Sequence, residues 1–464
     1  MARARSRRWT EVLSHFAAIS LHRALRFDSG DSRREHSRCG TKSPPPVFDT
    51  ARDEPVGVSD VVVVGASPKV ASIPVDRSSI DASDAVRCET IRDEEAFASL
   101  GPSWDALVRA MPRPSPFFLH RWLVEWYREF GAGLELAVEI ARRDGQLVGA
   151  LPLCVRSRLG VRIGTFVGGG ESALGDLLLA DAAPNATDEL LIEYHRRAGI
   201  DALDVFGLPR SSRLAAAAGP GRLSLLERVE APVLALGRDW EGFYEGRLQS
   251  SRRREVRRRA RTLGELGKVE VVLARGPTEV ETVLDDAFRL HALRWNGRPD
   301  HSTFGTSAGQ RFHRRALVAL ANDEVVRFTM LKLDGRPIAF QLWFALSSSA
   351  YMYRQSYDPQ FARFGIGFMT TLEAIKEAAS EGHTRLEFLG GAESYKLELA
   401  DGFEPLHQGV GLASGPRGAF FVAARVAALR AFRHLRRSPA LRRFYYDGLA
   451  PARRAVLARR SRQA

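Results

Sequence analysis

Two glycines, Gly365 and Gly367, lie where an amphipathic segment would begin as a helix. A helix start carries unpaired backbone N–H groups and the positive end of the helix dipole, so it attracts anions. Glycine lets a ligand approach that backbone closely. The pattern therefore indicates a site for a phosphate or another anionic group, although a lone GxG pair is a weak signal.

A second anion-binding candidate is the segment SSRRREVRRRARTLGELG, residues 250–267. Seven of the ten residues from Arg252 to Arg261 are arginine. Ser250 or Ser251 can cap a helix here, whose thin apolar face carries valine, alanine and leucine. Its guanidinium groups could hold the phosphates of a nucleotide, a tRNA or an anionic lipid. A solvated surface helix would show the same composition.

Two further features have both a structural and a functional interpretation. His291 lies in the apolar stripe of a helix predicted over Glu279–Trp295, where a histidine is more often a core residue than a catalytic one. The run Gly168–Gly170 precedes an acidic turn and a short apolar strand that contains Asp176. Such glycines suit a close ligand approach and a plain connector equally well.

A pattern that occurs twice must position these residues. LELAVEIARRDGQLVGALPL (residues 134–153) and VVRFTMLKLDGRPIAFQLWF (residues 325–344) each carry two apolar segments joined by Asp-Gly. This is the strongest short-range signal for a β-hairpin. Further strand-like segments, a helical segment and another strand follow each copy. We therefore predict two related α/β lobes in tandem.

The segment Ser349–Tyr357 alternates as a strand does. Its period of two places Tyr351, Tyr353 and Tyr357 on one face, and the opposite face carries Met352, Arg354 and Ser356. Asp358-Pro359 then turns the chain toward the glycines at 365 and 367. The order hairpin, third strand, glycine turn, helix and strand strengthens the anion-site prediction.

Composition sets limits on the function. A chain of 464 residues with 45% hydrophobic content can build two or three domains. Three scattered cysteines support neither a disulfide framework nor a zinc site. No apolar run reaches the roughly 20 residues needed to span a bilayer. The net charge of +13 fits an acidic partner. We expect a cytoplasmic protein without metal, with peripheral contact to the inner membrane left open.

The two ends differ from the middle. Residues 1–88 mix arginine clusters with Pro-rich and Ser/Asp-rich stretches, so we predict that they are largely disordered. Ordered sequence is expected to begin near Ile91. From Gly415 to the end at residue 464, apolar residues and arginines alternate at helical spacing. This basic tail would either dock on the lobes or contact an anionic membrane.

The chain resembles the GNAT acetyltransferases and, more closely, the CelD/BcsL-like branch associated with cellulose and exopolysaccharide biosynthesis, which is related to the Fem-type aminoacyl transferases. The resemblance covers about Phe97 to Leu412. It is carried by PFFLHRWLVEWYREFG, GGGESALGDLLL, SSRRREVRRRARTL, FRLHALRW, YRQSYDPQFARFGIGFMTTLEAI and FLGGAESYKLEL. The usual GNAT signature has Gln or Arg three residues before the first glycine. Ala362 occupies that place here, with Arg363 one residue later.

The resemblance implies acyl transfer from a thioester to an amine or a hydroxyl. Such chemistry needs a base, donors for the tetrahedral oxyanion and orientation of two substrates. His291 is the implied base, with Glu387 and Glu393 as alternatives, whereas Lys396 would stabilise negative charge and Tyr395 would protonate the departing thiolate. No nucleophile triad is visible, so direct transfer is expected. The implied binding residues are Arg363, Phe364, Gly365, Ile366 and Gly367 for acyl-CoA, and Asp176, Arg354 and Gln355 for the acceptor.

We therefore predict an α/β protein made of two tandem GNAT-like lobes, with mixed sheets flanked by helices. The predicted boundaries are 91–236 and 237–414, followed by the tail 415–464. The expected activity is transfer of an acetyl or other acyl group from acyl-CoA to a sugar or polysaccharide precursor. A Fem-like transferase that takes an aminoacyl group from tRNA and an inert scaffold of a polysaccharide complex are the alternatives.

Overall fold

The computed structural model describes residues 86–180, 187–295, 302–391 and 393–437. Within these ranges, thirteen strands form one mixed sheet. The first half of the chain contributes seven strands: β1 (Arg87–Ile91), β2 (Glu135–Arg143), β3 (Gln146–Arg158), β4 (Val161–Phe166), β5 (Leu178–Leu179), β6 (Ala202–Leu208) and β7 (Leu223–Ala235). Its helices are α1 (Glu94–Ala98), α2 (Gly101–Arg109), α3 (His120–Phe130), α4 (Thr187–Arg197) and α5 (Arg213–Ala218).

The second half contributes the other six strands: β8 (Val269–Ala274), β9 (Val326–Leu333), β10 (Arg336–Leu346), β11 (Ser349–Tyr357), β12 (Arg385–Glu387) and β13 (Gly402–Gly411). Its helices are α6 (Trp240–Arg247), α7 (Ser250–Gly264), α8 (Pro277–Arg294), α9 (Ser307–Asn322), α10 (Ile366–Ser380), α11 (Ser394–Leu399) and α12 (Gly415–Arg437). Short 3₁₀ turns cover Pro116–Phe118, Thr303–Gly305 and Pro359–Phe364.

The two halves repeat one pairing scheme. Strands β1 to β4 are antiparallel neighbours, and β4 then pairs in parallel with β6. Strands β8 to β11 are likewise antiparallel, and β11 pairs in parallel with β12. The prediction of two related α/β lobes is therefore confirmed.

The last strand of each lobe lies among the strands of the other. Strand β7 pairs with β12, and β13 lies between β6 and β7. This exchange joins the lobes into one continuous sheet. Because strand pairing crosses the predicted boundary near residue 236, the boundaries themselves stay predictions.

Both Asp-Gly hairpins form as predicted. Asp144 and Gly145 have φ values of 48° and 78°, and Asp334 and Gly335 have 49° and 77°. Two successive positive φ angles define the type I′ turn, whose twist matches that of the flanking strands. The turns join β2 to β3 and β9 to β10.

The two faces of the second lobe's sheet bury different helices. One side, called here the Phe344 face, packs against α3, α8 and α9 around Trp122 and Phe312. The other side, the Trp343 face, packs against α6 and α10. Aromatic side chains from both lobes contact one another on the Phe344 face, so the two lobes share a core.

Several sequence predictions shift in detail. Strand β1 begins at Arg87, inside the segment 1–88 predicted to be disordered, because it pairs with β2. The predictions for residues 1–85 and 438–464 lie outside the described residues. Gln249, rather than Ser250 or Ser251, is the N-cap of α7. Helix α12 docks on the sheet, where Val426 and Leu429 pack against Val410.

Replacing Glu139 with Gln should stabilise the protein at alkaline pH. Glu139 is buried on β2, and this burial raises its pKa to about 7. The Thr90 hydroxyl donates a hydrogen bond to the carboxylate at 2.7 Å, which lowers the pKa but by less. Between pH 4.5 and 7 the folded state holds a proton that the unfolded state has lost, so stability falls as pH rises. Glu139→Gln should recover up to about 3 kcal/mol at pH 8 and little below pH 4.5. Thermal melts across this range measure it, and an equal gain at both ends would contradict it.

Within the described ranges, no helix is long and apolar enough to cross a membrane.

Candidate functional site

The two central strands of the second lobe separate shortly after they meet. Strand β11 pairs with β12 only through Ser349, Ala350 and Tyr351. Beyond Tyr351, β11 continues to Tyr357 paired with β10 alone. The opposite edge of β11 therefore presents backbone donors and acceptors to a ligand, as an open strand edge does.

A β-bulge changes which side chains of β11 face the lobe junction. Leu342 pairs with Arg354 and Trp343 with Met352, so Tyr353 has no partner on β10. Such a bulge shifts the strand's alternation by one residue. The predicted alternation therefore holds through Tyr353 and is wrong from Arg354 onward. Tyr353, Arg354 and Ser356 share the Phe344 face, whereas Gln355 and Tyr357 point to α10.

A buried carboxylate from the first lobe meets this bulge. The Glu171 Oε2 accepts hydrogen bonds from Arg354 Nη2 at 3.1 Å and from the Tyr353 hydroxyl at 3.2 Å. His313 Nε2 lies 2.9 Å from the same hydroxyl. Burial alone would raise the pKa of Glu171, but the Arg354 charge and the hydrogen bonds that Glu171 accepts together outweigh burial and lower this pKa. These four residues, the Glu171 cluster, link the lobes.

The Glu171 cluster leaves part of the Arg354 guanidinium available to a ligand. The Arg354 side chain is 28% exposed, and its buried Nε has no hydrogen-bond partner within the described part of the chain. Burial lowers the pKa of His313 to about 4, so this ring is neutral at pH 7. The arrangement can therefore present a guanidinium to an acceptor substrate while its own charge stays balanced.

The glycine run of the first lobe holds Glu171 in place. Gly168 and Gly169 have φ values of 100° and 48°. A Cβ at Gly169 would lie 2.4 Å from the Trp126 ring, and one at Gly168 would lie 2.2 Å from Ser172 Oγ. Only glycine fits this turn. Of the two interpretations of the glycine run, the contacts with Trp126 and Ser172 favour a packed connector over a ligand site.

The predicted anion turn lies at the start of α10. Gly365 has φ 68° and ψ 30°, and as N-cap it supplies no side-chain acceptor for the first N–H groups of the helix. Ile366 and Gly367 are buried, and Arg363 is exposed with its guanidinium 4.8 Å from the Phe364 ring. A side chain at Gly367 would lie 3.0 Å from the Tyr357 ring, so a larger residue here would have to displace that ring.

Two arginines of α7 reach this turn. Arg259 Nη1 lies 3.0 Å from where a Cβ on Gly365 would be. Arg252 stacks on Phe368 at 4.5 Å and bonds to Glu398 at 3.0 Å. Beside Arg252 lies an open cleft of about 500 Å³, whose lining includes Arg247 and the carboxylates of Glu255 and Glu398. Arg259, which is also paired with Glu255, thus brings a guanidinium group close to the helix N-terminus.

The residues predicted to act on the thioester lie near the end of β12. Lys396 is 8% exposed, and its Nζ lies 2.9 Å from Glu393 and 3.3 Å from the Gly390 carbonyl oxygen. Tyr395 precedes it on α11, and burial raises the pKa of its phenol. Lys396 is thus a buried, positioned cation.

His291 and Glu387 occupy different surroundings. His291 is buried on α8, with Nδ1 3.3 Å from Ser356 Oγ, on the Phe344 face that also carries Arg354. The Glu387 Oε1 accepts hydrogen bonds from Arg113 at 2.5 Å and from Arg385 at 3.1 Å. Two guanidinium groups hold Glu387, which favours His291 as the base of the predicted set.

The predicted acceptor residues are not all in one place. Asp176 lines a cavity of about 240 Å³ near the lobe junction, which Arg113 also lines. Both Asp176 oxygens accept hydrogen bonds at the start of α5, from Ser212 Oγ at 2.8 Å and from backbone N–H groups. Gln355 Nε2 donates to Gly367 O at 2.8 Å. Arg354 alone of the three belongs to the Glu171 cluster, and all three roles stay predictions.

Sequence reasoning did not single out Glu171, His313, Arg259 or Arg113 individually. Glu171 directly follows the glycine run, which was a usable signal for a positioned acid. Arg259 lies within the arginine-rich segment, but nothing local distinguishes it from the other six arginines there. Arg113 and His313 have partners far away in the chain, so no local pattern marks them. Among the described residues, no group of three or more His, Cys, Asp or Glu side chains could hold a metal ion.

Residues 250–397 match the family model for the acetyltransferase (GNAT) domain. The match begins with α7 and ends within α11, so it contains the anion turn, β11 and Lys396. Together with the repeated sheet topology, it confirms the predicted fold class of two tandem GNAT-like lobes. The CelD/BcsL-like branch stays a prediction. No curated protein sequence gives a significant match.

Three solved structures are similar in fold. FemX shares 12% identity over 72% of this chain and 100% of its own, with a TM-score of 0.49. A tandem GNAT protein from the clavulanic acid biosynthesis pathway shares 13% over 72% and 99%, with a TM-score of 0.40. L-PGS from Bacillus licheniformis shares 10% over 72% and 96%, with a TM-score of 0.45.

Proposed function

We propose that this protein transfers an acetyl or other acyl group from acyl-CoA to an amine or hydroxyl of a sugar or polysaccharide precursor. The observation that carries the proposal is the anion turn at α10, flanked by Arg259 and Arg252, inside the segment that matches the GNAT domain. Coenzyme A brings a pyrophosphate and a further phosphate, which suit this combination of helix N-terminus and arginines.

The donor belongs to the second lobe. There, β11 ends at Tyr357 and α10 begins at Ile366, with the glycine turn between them. In the first lobe, β4 ends at Phe166 and α4 begins at Thr187, with the packed glycine run and β5 between them. The equivalent position of the first lobe therefore has a longer connection. There, the side chains of Trp126 and Ser172 occupy the space beside the glycines that a ligand would need.

The donor can extend from the turn along the open edge of β11. The pantetheine arm carries amides, which can pair with backbone groups on that edge. The 500 Å³ cleft beside Arg252 suits the nucleotide end. This orientation brings the thioester toward the separation of β11 from β12, where α11 places Tyr395 and Lys396.

The chemistry is direct transfer. The acceptor nitrogen or oxygen attacks the thioester carbonyl. His291, which lies on the Phe344 face beside Ser356, accepts the proton that the attacking atom loses. Lys396 stabilises the tetrahedral oxyanion, and the carbon–sulfur bond then breaks. The departing thiolate takes a proton from Tyr395. Arg354 and the 240 Å³ cavity near Asp176 orient the acceptor between the lobes.

Arg259→Gln should weaken acetyl-CoA binding by about tenfold to a hundredfold, since one charge-assisted hydrogen bond to a phosphate is lost. Calorimetric titration with acetyl-CoA measures the change. Arg258→Gln is the matched control, because Arg258 is the exposed neighbour on the same helix. An Arg259→Gln affinity no lower than that of Arg258→Gln would show that Arg259 does not contact the donor.

The activity itself is tested by thiol release from acetyl-CoA in the presence of amino sugars and hydroxyl-bearing sugar precursors. Acceptor-dependent release that disappears in a folded Lys396→Met protein would support the proposal. Tight acetyl-CoA binding without acceptor-dependent release from any of these sugars would contradict the acceptor class.

A further inference from the structure

Helix α7 divides its arginines between two sides. Arg252, Arg253 and Arg259 bond within the protein, to Glu398, to the carbonyl oxygens of Glu245 and Leu248, and to Glu255. The other four are exposed. We call them the arginine stripe: Arg254, Arg257, Arg258 and Arg261.

The stripe forms one continuous face. Its positions are related by three, four and seven residues, a spacing that places side chains together on a helix. None of the four donates a hydrogen bond or forms an ion pair within the ranges that the structure describes. Four neighbouring cations repel one another unless an anionic partner neutralises them. The stripe therefore favours a polyanionic surface.

Exposed apolar side chains follow the stripe directly. Leu266 is 49% exposed, Val269 37% and Val271 46%. These are three of the eight large apolar residues that are exposed in the described part of the chain. Val271 pairs with Leu331, which shares a core cluster with Leu263 of α7, so it lies on the side of the sheet that α7 covers. Strand β8 is the last strand of the sheet.

We propose that α7 and the start of β8 bind an anionic lipid surface. Arginines beside small aliphatic side chains are typical of helices that lie at a membrane interface, where the cations meet headgroups and the aliphatic groups enter the acyl boundary. Nucleic-acid sites that bind single strands add aromatic side chains for base stacking, and this patch contains none. The charges next to the stripe do not change its sign. Lys268 is paired with Glu270, and the exposed acid Glu265 is outnumbered by the four arginines.

Vesicle co-sedimentation of the full-length protein tests the proposal. Binding is expected to vesicles that contain phosphatidylglycerol, not to phosphatidylcholine alone, and should weaken with added salt. Replacing Arg254, Arg257, Arg258 and Arg261 together with Gln should reduce binding by about a thousandfold, because each arginine near an anionic surface contributes a factor of roughly five. The matched control replaces four scattered exposed arginines of the first lobe with Gln and keeps binding: Arg87, Arg109, Arg121 and Arg222.

A single variant separates the apolar contribution. Val271→Thr changes no charge and suits a strand, yet it should weaken binding roughly fivefold because a valine no longer enters the acyl boundary. Equal losses in the two fourfold variants would overturn the proposal, since the effect would then be one of net charge. Tighter binding to tRNA than to vesicles at equal phosphate would overturn it in favour of a nucleic acid.

Discussion

Lys396→Met should lower turnover by roughly a hundredfold or more and leave acetyl-CoA affinity nearly unchanged. Losing one positioned oxyanion donor has an effect of this size. Methionine keeps most of the apolar stem of lysine, so the packing around a residue that is only 8% exposed is largely retained. A transition-state role predicts that kcat and kcat/KM fall together.

Two further variants separate this role from a structural one. Glu393→Gln removes the carboxylate that lies 2.9 Å from Lys396 Nζ but keeps the amine. It should therefore retain most of the turnover if the amine acts on the substrate. Lys376→Met on the exposed side of α10 is the matched control and should behave as the wild type. A lower melting temperature with wild-type kcat in the folded Lys396→Met protein would assign the lysine to packing.

Local chemistry decided which parts of the fold were predictable. The two hairpins were predictable, because Asp-Gly between alternating apolar segments favours one turn type regardless of the rest of the chain. The helix over residues 277–294 was also found nearly in full, because its apolar stripe has helical spacing. In these segments the local preference and the tertiary structure agree.

Long-range pairing decided what was missed. The bulge at Tyr353 depends on how β11 pairs with β10, and the alternation of its own sequence gives no sign of it. The exchange of β7 and β13 joins strands that are separated by nearly the whole second lobe. Arg354 and Glu171 are 183 positions apart. The anion turn was found from its glycines, but the arginine that accompanies it comes from α7.

The Glu171 cluster gives the second large effect. Arg354→Met leaves the buried Glu171 without its cation, and an uncompensated buried charge costs about 3 kcal/mol or more. Glu171→Gln removes the negative charge of the carboxylate, while the amide oxygen can still accept a hydrogen bond from the Tyr353 hydroxyl. We therefore expect Arg354→Met to lower the unfolding free energy strongly and Glu171→Gln to lower it less. Chemical denaturation of each variant measures this.

The double variant Glu171→Gln/Arg354→Met should be more stable than Arg354→Met alone, because no buried charge is left over. Its catalytic behaviour distinguishes a link between the lobes from an acceptor site. If Arg354 contacts the acceptor, the double variant regains stability but keeps a raised acceptor KM, with acetyl-CoA affinity unchanged. Recovery of both stability and KM would mean that the cluster only joins the lobes, and the acceptor would then be held by the cavity near Asp176.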